Sequence, residues 1–379
     1  MPRDDGGAAP EAEDEQIPGG AAPEAEDEQI PRGAAAEAAD EQIPGGAEAA
    51  LEQLAETAPG PGRRARRMLV IANPYATTMR PALVQVVVAA LQTHYEVDAV
   101  DTQGPAHATE LSRDAARDGY DIVLAFGGDG TVNEAANGLA GTSTALTCLP
   151  GGATNVYCRM IGLSTDVVES TARLLDLAAS DPVPVDLARV NDRWFTFSAG
   201  AGLDAAVVER VDAHPRLKAR FGPWFYAQSA TATFLARYVV NPPMVIAEIG
   251  GTEVTGVSVF VQNAQPYTFF SRRPVRLAEG TRIDSGDLSG VILTRANPVD
   301  MPGITYRLLV ERSSVERHRR VAAFDGLKGL RVRSSDDRPV PIQVDGDFIG
   351  THEEAVFTVR PGGLLVLGGD GTVGRPGAG

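Results

Sequence analysis

The sequence has few of the features that mark secreted, membrane-spanning or nucleic-acid-binding proteins. Its 379 residues include only two cysteines, Cys148 and Cys158, which are too few for a disulfide framework. No apolar run reaches the roughly 18 residues of a membrane-spanning helix. The sequence also opens without a charged and apolar signal segment. These absences lead us to expect a cytoplasmic protein that can meet the inner face of a membrane.

Net positive charge is also absent. The formal charge is −16, and residues 1–60 supply most of it, with 16 acidic residues against two arginines. The remaining 319 residues carry 34 acids and 32 bases, a net charge of −2. Nucleic-acid binding requires a basic face, so we expect no nucleic-acid partner. The sequence makes no prediction of oligomeric state.

The acidic segment is repetitive. The 13 residues GGAAPEAEDEQIP at 6–18 recur at 19–31, and a degraded copy follows at 32–44. Each copy offers one isoleucine to bury, which cannot offset the entropy cost of ordering the chain. The sequence therefore predicts a disordered acidic tail over 1–65, and a second disordered tail over 368–379.

Between the tails, two patterns of periodicity predict two domains. Apolar strands alternate with helical segments over 66–183, beginning with Met68–Ala72 and the helix Pro81–His94. This alternation predicts a layered α/β domain with a mainly parallel sheet. Short alternating segments over 184–367 predict a mostly antiparallel β domain, and small ligands bind in clefts of the kind expected between two such domains. Its last segment is expected to pack back on the first domain.

The most informative motif is Gly-Gly-Asp-Gly-Thr-Val-Asn-Glu at 127–134. It leaves the carboxyl end of the predicted strand Asp121–Phe126 and enters a helix, the edge at which ligands of open α/β sheets bind. Glycines there let main-chain N–H groups approach phosphate oxygens, and the helix amino end favours an anion. We expect Asp129 to hold Mg²⁺ or orient an acceptor hydroxyl. Gly368–Gly374 repeats part of the motif with no helix after it.

Two other nucleotide motifs are excluded by the spacing. A Walker loop would need Gly-Lys-Ser/Thr, and a dinucleotide fingerprint would need glycine where Asn133 stands.

Polar loops also follow the neighbouring strands. Asn73-Pro74 follows the first strand, Thr102 the second, and Pro150-Gly151-Gly152-Ala153-Thr154-Asn155 the fourth. Parallel strands end at one sheet edge, so these loops are expected to lie together.

In this order, the motifs resemble those of the diacylglycerol kinase catalytic-domain family, which includes sphingosine kinases and bacterial lipid kinases. The resemblance continues through Phe197–Val208, Gln343–Gly350 and the PGGLLVL segment at 361–367, and so covers about 68–367. It implies phosphorylation of a lipid hydroxyl by ATP with Mg²⁺, at a membrane surface. It also implies that 66–183 is the nucleotide-binding domain and that 184–367 is a β-sandwich domain that binds the lipid substrate. It also implies that Asp347 takes the hydroxyl proton and that Asp129 and Asp204 are catalytic. The residues implied to contact ATP are Asn73, Pro74, Thr102, Gly127, Gly128, Asp129, Gly130, Thr131, Asn133, Gly152, Thr154 and Asn155.

Three positions depart from the family pattern. Asp347 stands where the family has Glu, and Gly152-Ala153-Thr154-Asn155-Val156 replaces Gly-Thr-x-Asn-Asp. The family's Asp-Gly-Leu metal turn aligns with Ser285-Gly286-Asp287, so a metal at Asp284 and Asp287 is a weaker expectation.

These departures keep a catalytically inactive nucleotide- or lipid-binding regulator open as an alternative. NAD kinase, which shares the GGDGT turn, is another alternative. Basic residues beside aromatics over 214–226 are expected to face the membrane.

Overall fold

The fold was analysed in a computed structural model. It describes residues 45–56, 65–212, 244–270, 273–296, 300, 303–304, 306–307, 315–336 and 338–369. Most of both predicted tails lies outside the described residues, as does the basic and aromatic segment 214–226. Among the residues described, no helix is long and apolar enough to cross a membrane.

The chain alternates between strands and helices up to residue 176, after which strands dominate. The helices are α1 Gly45–Glu56, α2 Pro81–Leu91, α3 His107–Arg117, α4 Asp129–Leu139, α5 Val156–Met160, α6 Val167–Asp176 and α7 Leu203–Asp212. Short 3₁₀ turns occur at Leu177–Ala179 and Val315–Arg317. The strands are β1 Arg66–Ala72, β2 Tyr95–Asp101, β3 Ile122–Gly127, β4 Ala145–Pro150, β5 Val183–Val190, β6 Arg193–Phe195, β7 Ser198–Gly202, β8 Val245–Ile249, β9 Thr252–Gly256, β10 Ser258–Gln262, β11 Thr268–Phe270, β12 Arg273–Val275, β13 Leu288–Leu293, β14 Val321–Leu327, β15 Gly329–Ser334, β16 Val340–Val344, β17 Asp347–His352 and β18 Glu354–Val366.

The larger sheet has the strand order β2-β1-β3-β4-β18-β15-β8-β9, with β5 and β6 attached through β18. Strands β2, β1, β3 and β4 pair in parallel, whereas β15, β8 and β9 pair antiparallel. All residues of β3 and β4 are buried, as expected for strands covered by helices on both faces. Because β1, β3 and β4 run the same way, their carboxyl ends form one edge of the sheet.

A second sheet has the order β14-β13-β10-β7-β16-β17, and its pairings are antiparallel. Its small-residue strand β7, Ser-Ala-Gly-Ala-Gly, is buried at every position between β10 and β16. The predicted fold class, a mainly parallel α/β part followed by antiparallel sheets, is confirmed. Residues 252–262 contribute two strands to different sheets, since β9 pairs with β8 and β10 pairs with β7.

Strand β18 links the two halves of the larger sheet. Its first residues pair with β15, and its last residues, Leu365 and Val366, pair in parallel with Ala145 and Leu146 of β4.

The prediction of a disordered tail over 1–65 is wrong for one segment. Residues 45–56 form α1, whose Leu51 is fully buried in the core cluster that contains Val87 and Leu91 of α2.

Candidate active site

Two glycine pairs meet at the carboxyl edge of the parallel strands. The N–H of Gly151 donates to the carbonyl oxygen of Gly127 at 2.9 Å. A Cβ atom at 151 would lie 2.8 Å from the Cα of Gly127, and one at 152 would lie 2.8 Å from the Cα of Gly128. Any larger residue would therefore push the two loops apart. The loops after β3 and β4 form one surface made largely of main chain.

Asp129 fixes the second loop to the first. Its two carboxylate oxygens accept hydrogen bonds from the main-chain N–H groups of Val156 and Tyr157, each at 3.0 Å. These are the first residues of α5, whose N–H groups have no partner within the helix. Holding Mg²⁺ or orienting a hydroxyl was the expected task of Asp129. In the structure its carboxylate anchors the helix that follows the second glycine pair, and its expected task stays a prediction.

Thr131 connects this motif to the loop after β1. The side-chain amide of Asn73 donates to the Thr131 hydroxyl oxygen at 3.0 Å, and its carbonyl oxygen accepts from the N–H of Tyr75. Thr131 also lies against Gly127, where a Cβ would meet its hydroxyl oxygen at 2.5 Å. Asn73 and Thr131 are thus brought together as predicted from their strand ends. Pro74, next to Asn73, is exposed at the same edge.

Asn133 does not face the open edge. Its side chain is fully buried, and its amide donates to a carboxylate oxygen of Asp345 at 2.7 Å and to the carbonyl of Trp194 at 3.0 Å. Its side-chain oxygen accepts from Arg193 at 2.7 Å. Because the polar atoms of the amide are already bonded within the protein, the expected contact of this side chain with ATP gains no support.

Glu134 has a structural role of the same kind. Its two carboxylate oxygens accept from the N–H groups of Ala106 and Ala108 at 2.8 and 3.2 Å, at the start of α3. Acidic groups are favoured at a helix amino end, where N–H groups have no helical partner. The side chains of Asp129, Asn133 and Glu134 thus bond to neighbouring elements. The glycines of the motif have no side chain to cover their own main chain.

The loop after β4 is closed by Asn155. Its side-chain oxygen accepts from the N–H of Gly152 at 2.9 Å, and its amide donates to the carbonyl of Gly152 at 2.7 Å. Asn155 itself has a left-handed backbone, with φ of 49°, a conformation that asparagine tolerates better than most residues. Val156, which stands where the family has Asp, is buried in the core. Thr154, on the same loop, is partly exposed.

Asp347 lies directly against the glycine motif. A Cβ atom at position 130 would be 2.8 Å from Oδ2 of Asp347 and 3.6 Å from its Cγ. Glycine is therefore required at 130 for this carboxylate to approach the start of α4. The approach joins residues that are more than 200 positions apart in sequence, and it brings the predicted base to the predicted phosphate-binding bend.

Asp345 holds the turn that carries Asp347. Its Oδ2 accepts from the Asn133 amide and from both the N–H and the hydroxyl of Thr196, at 2.7 to 2.8 Å. Its Oδ1 accepts from the N–H groups of Phe197 and Ser198, each at 3.0 Å. Its buried partners come from two distant segments, which no local pattern could show.

Asp204 is connected to the same turn through Gln343. The Gln343 amide donates to Oδ2 of Asp204 at 2.8 Å, and its side-chain oxygen accepts from the N–H of Gly346 at 3.0 Å. The hydroxyl of Tyr267 donates to the same Asp204 oxygen at 3.2 Å. A Cβ at Gly200 would be 2.4 Å from it, so the small residue of β7 makes room for the carboxylate. Gln343 and Tyr267 were not predicted as site residues.

Three carboxyl groups of this region have raised pKa values. Burial raises the pKa of Asp129 to about 6, against the opposing effect of its N–H partners at Tyr157 and Val156. Burial likewise raises the pKa of Asp204 to about 6, opposed by the hydrogen bonds from Gln343 and Tyr267. For Asp345, burial raises the pKa despite hydrogen bonds from three main-chain N–H groups. Grouped, perturbed acids of this kind are typical of functional sites.

Two other predictions concern residues outside the group formed by Asp129, Asp204 and Asp345. Thr102 is buried at the end of β2, where its N–H donates to the carbonyl of Ala72 at 2.8 Å. At the expected metal turn, Arg282 pairs with Asp284 at 2.8 Å, and Ser285 donates to Asp287 at 2.7 Å. Among the described residues, no three acidic, histidine or cysteine side chains form a group that could hold a metal ion. The prediction of a metal at Asp284 and Asp287 therefore gains no support.

Comparisons with known proteins show what this chain is similar to. Residues 67–190 match the family model of the diacylglycerol kinase catalytic domain. The chain is 25% identical over 293 residues to a diacylglycerol kinase of Staphylococcus carnosus, covering 75% of this chain and 90% of that protein. It is 32% identical over 142 residues to a diacylglycerol kinase of Bacillus subtilis, covering 36% of this chain and 46% of that protein.

A solved structure supports the same assignment for the fold. The crystal structure of a diacylglycerol kinase from Bacillus anthracis superposes with a TM-score of 0.64 and 20% identity, covering 82% of this chain and all of that one. The fold is therefore that of the bacterial diacylglycerol kinases. The resemblance to the diacylglycerol kinase catalytic-domain family, first indicated by the motifs, is confirmed.

Proposed function

We propose that this protein is a lipid kinase that transfers the γ-phosphoryl group of ATP to the free hydroxyl of diacylglycerol, giving phosphatidic acid. The approach of Asp347 to Gly130 is the observation that carries the proposal. It sets a carboxylate from β17 beside the main chain of the bend that enters α4. A phosphoryl-transfer site requires both parts, an anion-binding bend and a group that accepts the hydroxyl proton.

The bend suits a triphosphate. The N-cap residue of α4 is Gly128, which has no side chain to occupy the first N–H groups of the helix. Such groups bind anions, and the helix dipole adds to the attraction. The adjoining Gly151 and Gly152 keep the facing loop free of side chains at the closest approach. We propose that ATP lies over these loops, with Asn73, Pro74, Thr102 and Thr154 along the same strand ends.

Asp347 is the proposed general base, and Asp204 acts beside it. A positioned base contributes typically about 10²–10⁴-fold to such a transfer. The link from Asp204 through Gln343 to the N–H of Gly346 sets the turn in which Asp347 stands. Mg²⁺ usually binds proteins through one or two carboxylates together with substrate phosphates, so a resident cluster of acids is not needed. When bound with the nucleotide, Mg²⁺ would neutralise charge on the transferred phosphoryl group.

The proposed substrate is a membrane lipid, so we propose that the protein acts as a peripheral enzyme at the inner face of the membrane. The expected membrane-facing segment over 214–226 lies outside the described residues. The two arginines that begin β1 have partners within the protein. Arg66 pairs with Asp181 at 3.0 Å, and Arg67 lies 4.2 Å over the ring of Tyr120. These two arginines therefore do not support a lipid contact.

Radiolabelled ATP, with Mg²⁺ and mixed micelles, tests the proposal. Diacylglycerol, sphingosine and monoacylglycerol should be offered in parallel, with NAD in a fourth reaction. Labelled phosphatidic acid is the expected product. Labelled NADP would instead indicate an NAD kinase, and ATP binding without transfer to any acceptor would indicate a regulator.

Substitutions at 347 identify the base. Asp347→Glu should keep activity, because it retains a carboxylate of the kind found in the family. Asp347→Asn should lower kcat by about 10²-fold or more, since an amide cannot accept the proton. Asp325→Asn, a change at an exposed position in β14, is the matched control and should leave kcat unchanged. Equal rates for the Glu and Asn variants would assign the base elsewhere.

A further inference from the structure

The two cysteines of the chain meet beside the proposed nucleotide site. Cys148 lies in β4 and Cys158 in α5, and their sulfur atoms are 2.7 Å apart. Both are free thiols, with 0% and 1% of their surfaces exposed. They flank the loop that contains Gly151, Gly152 and Asn155. No other cysteine is present in the sequence.

We propose that Cys148 and Cys158 are a disulfide-forming site, and that the bond ties together the two ends of the loop 151–155. A disulfide has an S–S distance of about 2.05 Å, so the sulfurs need to approach by only about 0.7 Å. Metal binding is a poorer interpretation of the same pair. Among the described residues, no third cysteine, histidine or acidic side chain joins them in a metal-binding group.

The bond would act on the part of the loop that Asp129 anchors. Cys158 directly follows Tyr157, whose N–H donates to Asp129, and Val156 donates to the same carboxylate. Cys148 precedes the first glycine of the loop by three positions within a fully buried strand. Closing the segment 148–158 therefore restrains the loop between two rigid elements. That this loop contacts ATP rests on the proposed function, whereas formation of the bond does not.

The chemistry needs an oxidant, and a low-molecular-weight disulfide supplies it. The thiolate of one cysteine attacks a sulfur of the reagent and releases one reagent thiol, which leaves a mixed disulfide. The second cysteine then displaces the other reagent thiol, so two protein thiols are oxidised and one disulfide is reduced to two thiols. Burial raises the pKa of Cys148, which keeps its thiolate scarce. The exchange should therefore be slow and should accelerate as pH rises.

Mass spectrometry of the full-length protein tests the site directly. Trypsin leaves both cysteines in one peptide, Asp118–Arg159, because no lysine or arginine lies between Asp118 and Arg159. After incubation with oxidised glutathione, denaturation and alkylation, this peptide should carry no alkyl group and weigh about 2 Da less than the unmodified dithiol. Reduction should restore two alkylation sites. Two alkylated thiols in the oxidised sample, or a disulfide-linked dimer, would overturn the proposal.

Thermal unfolding tests the effect on the loop. Closing a loop of this length should raise the Tm of the oxidised protein by about 5 °C relative to the reduced protein. Hydrogen exchange should slow at the amides of 151–157. Cys158→Ala and Cys148→Ala are matched controls that should each abolish the redox-dependent shift. An unchanged Tm and unchanged exchange in a sample shown to hold the bond would refute the restraint on the loop. None of these measurements requires kinase activity, so their failure is distinguishable from failure of the proposed function.

Discussion

Asn133 donates a hydrogen bond of 2.7 Å to Asp345, although 212 positions separate the two residues. The bond joins the helix that follows the glycine bend to the turn that carries Asp347. Both groups are buried, at 0% and 6% exposure, so water does not compete for either partner. The distance between the bend and the proposed base is therefore set by a buried polar contact.

Breaking this contact should cost stability and activity together. Asp345→Ala leaves the N–H groups of Thr196, Phe197 and Ser198 without their acceptor, and should lower the free energy of unfolding by about 3 kcal/mol. Asn133→Ala should cost somewhat less. In urea unfolding, the double variant should show a coupling energy of about 1–3 kcal/mol. Asp192→Ala, at an exposed turn, is the control. Additive effects of the two substitutions would contradict the bridge.

Gly130→Ala should impair catalysis without destabilising the protein. Alanine is favoured over glycine within a helix by about 1 kcal/mol, so Tm should not fall. The added Cβ would lie 2.8 Å from Asp347 Oδ2 and force that carboxylate away. A displacement of this size should lower kcat by about 10²-fold. Gly104→Ala, where a Cβ would meet nothing within 4 Å, is the matched control. Unchanged kcat for Gly130→Ala would separate Asp347 from the reaction.

Substitutions at Asp129 distinguish an anchor from a metal ligand. Asp129→Ala removes both acceptors from the start of α5 and should cost about 1–2 kcal/mol of stability. It should also raise the KM for ATP and abolish most lipid labelling. Asp129→Asn keeps one acceptor oxygen, and should recover part of the stability and of the ATP affinity. If the Asn variant were folded as well as the wild type but wholly inactive at saturating ATP, a direct role of the carboxylate would be indicated.

The raised pKa of Asp204 predicts a pH-dependent difference between the wild type and Asp204→Asn. A carboxyl with a folded-state pKa near 6 binds its proton more tightly in the native state than in the unfolded state, where the pKa is near 3.8. The wild type should therefore lose stability relative to the variant as pH rises through this window. Between pH 5 and pH 7.5 the loss should be about 1 kcal/mol. Urea unfolding at several pH values checks this, and a constant difference would contradict it.

Truncation tests where the ordered fold begins. Deleting 1–44 should leave turnover in micelles and Tm nearly unchanged, because the deletion keeps all of α1. Deleting 1–60 removes the buried Leu51 and should cost about 2 kcal/mol or more. Differential scanning fluorimetry of the two truncated proteins checks the contrast. Equal Tm values would mean that α1 contributes nothing to the core.

The local elements were largely predictable from the sequence. Apolar runs such as Ile122–Phe126, followed by glycines and a helical pattern, identify a parallel strand and the bend after it. Because parallel strands end at one edge, the nearness of Asn73 and Thr131 also followed. Leu51 was harder to predict as a core residue, since Leu51 and Leu54 are the only large apolar residues of α1 and give little periodic signal.

The sequence by itself determined the order of strands and helices and the glycine bend, because apolar periodicity and backbone freedom are properties of neighbouring residues. It also showed the resemblance to the diacylglycerol kinase catalytic-domain family, through motifs that occur in a set order. Only the tertiary structure decided which side chains of that bend are structural. Asp129, Asn133 and Glu134 bond to groups 26 to 212 positions away. A buried carboxylate or amide must find its partners in space, and the chain's folded path alone decides which residues those are.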